Sequence, residues 1–410
     1  LKRALAIIDG EHYVSTVRDA LEELPYEFVA AHLVGGTEKL RGGEDYGVPL
    51  VDSLADALGH DAEVVVDLSD EPVLGPAERL RLASRALALG LPYVGADFRF
   101  DPPTLKQFDL PSIGIVGTGK RVGKTAVAGH TARLLSQRYD VVVVAMGRGG
   151  PPTPEVAEAP PSVDELLELS RAGRHAASDY LEDAALARVV TIGCRRAGGG
   201  LAGMPFASNV DAGAALAAER SPDLVLFEGS GATFPPVETR KRVLVVGGRQ
   251  RPEVATGYLN AYRILVSDLV VVVGGDEPVA AIRELTGAPV LRAELRPRPV
   301  EPVEGRAAVF TTAPADRADE LRDALRAQGM DVVRLSTNLA RREELRAELD
   351  ATEAETYVVE LKAAAVDAVV EHARSRGARV VLLDNEVVAP GLDDELLALA
   401  DAAVKEGVPA

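Results

Sequence analysis

The residues best placed for chemistry lie near position 120 of this 410-residue chain. Ser112-Ile113-Gly114-Ile115-Val116-Gly117 reads as a buried strand, and a helix is predicted over 124–137. Between them runs Thr118-Gly119-Lys120-Arg121-Val122-Gly123-Lys124-Thr125. Strand, glycine loop, Gly-Lys-Thr and helix is the order a phosphate-binding loop requires. Small residues let backbone N–H groups converge on phosphate oxygens, the helix N-terminus adds partial positive charge, and Lys124 reaches the β- and γ-phosphates. The Thr125 hydroxyl can ligate Mg²⁺. Gly117, Thr118, Gly119, Lys120, Arg121, Val122, Gly123, Lys124 and Thr125 are therefore the expected nucleotide-binding residues. The strict spacing G-x-x-x-x-G-K-[ST] wants glycine at 118 and finds Thr118, with Gly117 before it and Gly119 after. Lys120 and Arg121 either reach the γ-phosphate during transfer or shield the anionic site.

A second element ends the strand-like run DLVLFE. Glu228 is followed by Gly229-Ser230-Gly231-Ala232, and a carboxylate at a strand's C-terminal edge can help hold Mg²⁺ on a nucleotide bound there. Thr125 and Glu228 are the expected metal residues. No N-K-x-D or T-K-x-D element for reading guanine occurs, which favours ATP over GTP. The turn Gly274 to Pro278 either lines the base and ribose or is an ordinary loop. Several cations also sit beside predicted strand ends. Arg148 lies among Gly147, Gly149 and Gly150; Arg195 and Arg196 follow VVTIG and precede Gly198 to Gly200; Arg240, Lys241 and Arg242 follow the acidic turn; Lys362 ends TYVVEL. Each is either an anion ligand or a surface ion pair. Asp9, Glu11 and His12, after the first strand, are either site residues or acidic and polar groups at a helix start.

The elements that position these residues alternate throughout. Short β-branched runs alternate with amphipathic stretches, which predicts an α/β fold with parallel sheets and crossover helices. The length implies two or three domains. Pro-rich FRFDPPTLKQFDLP (98–111) marks one boundary, and RAELRPRPVEPVEG (292–305) reads as a linker. The expected division is an N-terminal Rossmann-like α/β domain over 1–108, a P-loop ATP-binding domain over 109–298 and a C-terminal α/β domain over 299–410. The 45 basic residues, only eight of them Lys, against 63 acidic ones give a net charge of −18. So acidic a chain is not expected to coat nucleic acid or anionic membrane, and any small anion must be held by a local basic pocket. Cys194 is the only cysteine, so no internal disulfide can form. No stretch has the length of a membrane span or a signal h-region, and a cytoplasmic protein is expected.

The loop Gly117-Thr118-Gly119-Lys120-Arg121-Val122-Gly123-Lys124-Thr125 resembles that of dethiobiotin synthetases, within a P-loop class that includes nitrogenase iron protein, and Glu228-Gly229-Ser230-Gly231 resembles their acidic turn. DGEHY (9–13), AMGRGGPP (145–152), IGCRRAGGGLAGMPFASNV (192–210), FEGSGA (227–232) and ELKAAAVD (360–367) extend the likeness over most of the chain. Together they resemble the cyclic 2,3-diphosphoglycerate synthetases. That resemblance implies ATP- and Mg²⁺-dependent closure of 2,3-diphosphoglycerate into its cyclic anhydride, with release of ADP and phosphate, by a cytoplasmic homodimer. On this reading the catalytic set is Lys124, Lys120, Arg148, Arg195, Arg196 and Lys362. Two other readings stay open: a different ATP-dependent ligase on the same loop, and a P-loop ATPase switch.

Overall fold

The computed structural model describes residues 1–174, 176, 178–362 and 365–406. Ala363 and Ala364 of the segment 360–367 lie outside them. The N-terminal region is built from β1 (Lys2–Ile8), α1 (Val14–Glu23), β2 (Tyr26–Leu33), β3 (Val64–Asp67), α2 (Pro76–Ala88), β4 (Tyr93–Val94) and β5 (Arg99–Phe100). Its sheet runs β2-β1-β3-β4-β5, parallel except for β5.

Next come β6 (Ser112–Gly117), α3 (Lys124–Leu135), β7 (Val141–Gly147), β8 (Glu155–Ala157), α4 (Val163–Arg171), α5 (Asp179–Ala187), β9 (Val190–Ala197), β10 (Ala207–Ser208), α6 (Val210–Glu219), β11 (Leu224–Glu228) and β12 (Lys241–Gly247). These are followed by α7 (Pro252–Ala255), α8 (Asn260–Leu265), β13 (Leu269–Val273) and β14 (Val290–Pro299). The runs VVVVAMG and LVVVV are buried from end to end, as expected of parallel strands covered by helices on both faces.

Strand register decides where the site lies. β6 sits between β11 and β12, with Ile115 opposite Glu228 and Gly117 opposite Val245. β7 sets Ala145 beside Glu228, and β9 sets Arg195 beside Gly147. Gly117, Gly147, Arg195 and Glu228 thus share the carboxyl edge of one sheet, where open α/β sheets bind ligands.

The segment 292–305 differs from its linker reading. Val290–Pro299 forms β14, whose first half pairs in parallel with β13 and whose second half, from Glu294, pairs antiparallel with β18 (Arg379–Val388). Pro297 and Pro299 are accommodated because the β13 pairing ends at Ala293, so among the described residues no strand on that side needs their missing N–H. The sheet continues through β18 to β17 (Thr356–Glu360), β15 (Arg306–Phe310) and β16 (Asp331–Ser336). The terminal helix Leu392–Lys405 then returns to cover α3, with an Asp393–His130 contact of 2.7 Å. Among the described residues no helix is long and apolar enough to cross a membrane.

Candidate active site

The phosphate loop is shaped by close backbone approaches. Gly123 has φ of +91°, and a Cβ there would lie 2.8 Å from Val273 Cγ1. A Cβ on Gly117 would lie 3.0 Å from the Gly231 carbonyl oxygen, so the loop and the acidic turn meet backbone to backbone. Thr118 is outside the left-handed region and needs no glycine. Its N–H donates to the Val245 carbonyl at 3.1 Å and its hydroxyl to Gln250 Oε1 at 3.1 Å, which accounts for the departure from the strict spacing.

Lys124, the first residue of α3, is ion-paired to Glu228 at the end of β11; Glu228 is buried and Lys124 partly so. Around this pair α5 brings three carboxylates on one helical face, Asp179, Glu182 and Asp183, at i, i+3 and i+4. Gly147 admits the first of them, since a Cβ there would lie 2.7 Å from Asp179 Oδ2. Lys362, just past β17, holds Glu182 through both carboxylate oxygens, 2.6 Å to Oε2. Both oxygens of Asp183, and Glu228 Oε2, lack a donor among the described residues. The two carboxyl groups face each other.

The titration of these groups follows from burial and neighbours. Burial, then the Glu228 charge, pushes the Asp183 carboxyl well above the ordinary range. Burial opposes ionisation of Glu228 too, but Lys124 and the Asp183 carboxyl outweigh it and hold Glu228 low. Asp179 is raised by burial and by Glu228, against Lys124, Lys362 and Arg148. Glu182 is pushed up to about 7 by burial, with Lys362 opposing. Burial lowers the Lys362 ammonium, but Glu182, Glu360 and Asp179 together outweigh it, so its value rises.

On the basic side, Arg196 donates through Nη2 to the Ser230 carbonyl at 2.9 Å and through Nη1 to that of Gly198, while its buried Nε has no acceptor among the described residues. A Cβ on Gly231 would lie 3.7 Å from Arg196 Nη2 and 3.8 Å from Lys120 Cγ, so these two cations flank the acidic turn. Burial and the nearby Arg148 charge lower the Arg196 value. Among the described residues, none of Lys120, Arg121, Arg148, Arg195 and Arg196 is ion-paired to a carboxylate.

Arg195 and Arg196 lie within β9 rather than after it, because β10 pairs with Arg196 and Ala197 and prolongs the strand. Alternation then sends their side chains to opposite faces. Arg196 reaches the phosphate-loop turn; Arg195 is exposed, with its backbone fixed by Asn209 Oδ1 at 2.7 Å. Arg240, Lys241 and Arg242 sit at the other edge of the sheet, Lys241 opposite Ile113 near the start of β6. Arg240 binds the Ala403 carbonyl, Lys241 pairs with Glu406, and Arg242 bonds the Val266 carbonyl, so their anion-binding reading gives way to fold contacts. Gly274 and Gly275 pack against Gly248 and Arg249, beside the β12 and β13 ends.

The α5 carboxylates escape a motif reading because no short pattern defines them. Their signal is compositional: Tyr180 through Ala187 is buried on every side, and acids in such a helix must face partners. Residues that fit a Mg²⁺–nucleotide are present, namely the glycine cradle, the Thr125 hydroxyl and the buried Oε2 of Glu228 without a donor. Among the described residues no three His, Cys, Asp or Glu side chains form a ready-made metal cage. A metal carried on phosphate needs none.

Fold and loop together define a P-loop nucleotide-binding α/β protein. Residues 112–289 match the P-loop domain described for cyclic 2,3-diphosphoglycerate synthetase, residues 3–101 its N-terminal domain and residues 299–386 its C-terminal domain. A protein of Rubrobacter xylanophilus named cyclic 2,3-diphosphoglycerate synthetase is 48% identical, over 98% of both chains. Proteins of the same name from Thermococcus kodakarensis and Thermococcus gammatolerans are 44% and 43% identical, over 94% of this chain and 94% and 93% of theirs. The chain belongs to the cyclic 2,3-diphosphoglycerate synthetase family and is an enzyme of that family.

Proposed function

We propose that this enzyme uses ATP to close 2,3-diphosphoglycerate into its cyclic anhydride, releasing ADP and phosphate. The observation that carries this reading is the group of cations without carboxylate partners, among the described residues, at one sheet edge of a strongly acidic protein. Arg148 and Arg196 lie beside the phosphate loop that contributes Lys120 and Arg121. A substrate with two phosphates and a carboxylate carries about five negative charges, and such a cluster supplies the charge-assisted bonds it needs.

Two phosphates of one molecule do not condense in water without a leaving group. In the first step a substrate phosphate oxygen attacks the γ-phosphorus of ATP, a P–O bond forms, and the bond to ADP breaks. In the second, the neighbouring phosphate attacks the inner phosphorus of the pyrophosphoryl group and expels inorganic phosphate. Both steps bring like-charged groups together, so charge neutralisation and alignment are the main contributions of the protein. Lys124 leaves Glu228 for the β- and γ-phosphates, while Arg148 and Arg196 hold the substrate. Lys120 follows the transferred group, Arg121 guards the loop mouth and Arg195 steers anions toward the edge. Lys362 balances the α5 carboxylates from the C-terminal domain. Mg²⁺, held by Thr125 and Glu228 when bound, supplies charge neutralisation on the phosphates.

The reading includes domains over 1–108, 109–298 and 299–410, a cytoplasmic setting and a homodimer, the last checked by light scattering. Its test is ADP release with and without 2,3-diphosphoglycerate. Release that depends on the substrate is expected; equal release without it would identify a nucleotide switch instead.

A further inference from the structure

The two carbonyls that hold Arg196 belong to two different loops, and both loops converge on one buried arginine. Arg263 of α8 is only 3% exposed. Its Nε and Nη2 donate as a fork to the Ala232 carbonyl at 2.8 and 2.6 Å, within the turn whose Ser230 carbonyl accepts from Arg196. The turn is closed by the reciprocal Ser230–Thr233 backbone pair at 3.0 and 3.1 Å. The glycine loop that supplies the Gly198 carbonyl comes down on the same group. A Cβ on Gly203 would lie 3.2 Å from Arg263 Nη2 and 2.4 Å from the Phe234 ring, and the Gly203 carbonyl accepts from Phe234 N–H at 2.8 Å. The guanidinium lies over the Phe234 ring, 5.7 Å from its centroid.

Arg263 has no carboxylate partner among the described residues. Its remaining bonds go to the Leu259 carbonyl at 3.1 Å and Asn260 Oδ1 at 3.4 Å. A cation buried among carbonyls and an aromatic ring is a costly way to fill space, and an apolar side chain of similar volume often serves a core equally well. A planar fork, however, fixes one carbonyl in direction as well as distance. The same short helix shares a core with the N-terminal domain, where Leu259, Tyr262 and Ile264 pack with Leu82, Ala83 and Ala86 of α2.

We propose that Arg263 is a positioning residue for the anion site: by fixing Ala232 and seating the Gly203 loop, it sets both carbonyls that orient Arg196, and α8 ties that setting to the N-terminal domain. The claim rests on the proposed function for its substrate. It assigns the N-terminal domain a part in substrate binding without placing any of its own side chains on the substrate.

The test uses the full-length enzyme with Arg263→Met and Arg263→Lys. R263M is expected to raise KM for 2,3-diphosphoglycerate roughly tenfold to a hundredfold, the range for a lost charge-assisted bond, with KM for ATP within about twofold of wild type. R263K keeps the charge without the fork and is expected to give a smaller rise of the same kind, which preserves the comparison should R263M fail to fold. Adding Arg196→Ala to either variant should then raise KM for diphosphoglycerate by less than it does in the wild type, because the two residues act in series. A rise in both KM values together with a fall in melting temperature, or fully additive effects with Arg196→Ala, overturns the proposal. If wild type makes no cyclic product, the proposed function fails, and the positioning claim is read from a crystal structure of R263K. Arg196 must have left the Ser230 carbonyl there; Arg196 unmoved overturns it.

Discussion

Two carboxyl edges of parallel sheet in this chain carry buried acids, and they treat them in opposite ways. At the end of β1, Asp9 takes Glu11 N–H at 2.9 Å, His12 N–H at 3.3 Å, His12 Nδ1 at 2.9 Å and Asp70 N–H at 2.8 Å. Although burial opposes it, these bonds hold the Asp9 carboxyl below its ordinary value. Asp67, at the end of β3, is likewise claimed by Arg79 Nε and the Tyr93 hydroxyl, each at 2.7 Å. At the phosphate-loop edge, among the described residues, Asp183 has no donor on either oxygen, Glu228 has none on Oε2, and Arg196 Nε has no acceptor. A buried polar group whose bonds are complete organises a loop; several incomplete ones gathered beside a phosphate loop are what a bound ligand would complete. On the proposed function, Asp9 and His12 fall on the structural side and the Lys124 edge on the chemical side.

The comparison can be broken at either edge. Lys124→Ala carries the largest expected effect, a fall in kcat of roughly 10³-fold, measured by substrate-dependent ADP release. Near-normal turnover would remove the loop from the chemistry. Arg148→Ala should raise KM for 2,3-diphosphoglycerate by roughly tenfold to a hundredfold and KM for ATP much less. Equal effects on both would take Arg148 out of the substrate site. At the other edge, Asp9→Asn should lower unfolding free energy by about 1–3 kcal/mol in urea titrations while leaving kcat/KM nearly unchanged. A large loss of kcat/KM with normal stability would make the first sheet edge part of the site.

A pH dependence of comparable size belongs to the phosphate-loop edge. Glu182 has a folded value near 7 against an ordinary 4.5, so between these limits the folded state holds a proton that the unfolded state has released. Its contribution to stability is present below about pH 4.5 and is lost as pH rises through 7. Glu182→Gln should flatten that part of the stability profile, measured by unfolding at pH 5 and pH 7.5. An unchanged slope would show that Glu182 is already ionised throughout, through its Lys362 pair.

The phosphate loop and the acidic turn were legible in the sequence because both are local: Gly123-Lys124-Thr125 and Glu228-Gly229-Ser230-Gly231 each place a side chain by chain direction alone. The order of strands and helices in the α/β alternation was legible for the same reason. What sequence could not show depends on pairing between distant segments. The Pro- and charge-rich composition of 292–305 is what a linker and a half-partnered strand have in common, and only β18 distinguishes them. Arg195 and Arg196 change meaning once β10 extends β9 and separates their faces. Asp179, Glu182 and Asp183 sit in an Ala- and Leu-rich helix with no motif, and their role emerges only when α5 is set beside Lys124 and Lys362.

The central claim is that this edge makes an intramolecular phosphoanhydride, and phosphorus NMR of the reaction tests it most directly. Enzyme incubated with ATP, Mg²⁺ and 2,3-diphosphoglycerate should convert the two phosphomonoester signals into the coupled pair of a cyclic anhydride, with one ADP and one inorganic phosphate formed per ring. ATP consumed in the presence of the substrate with no anhydride signal would contradict it.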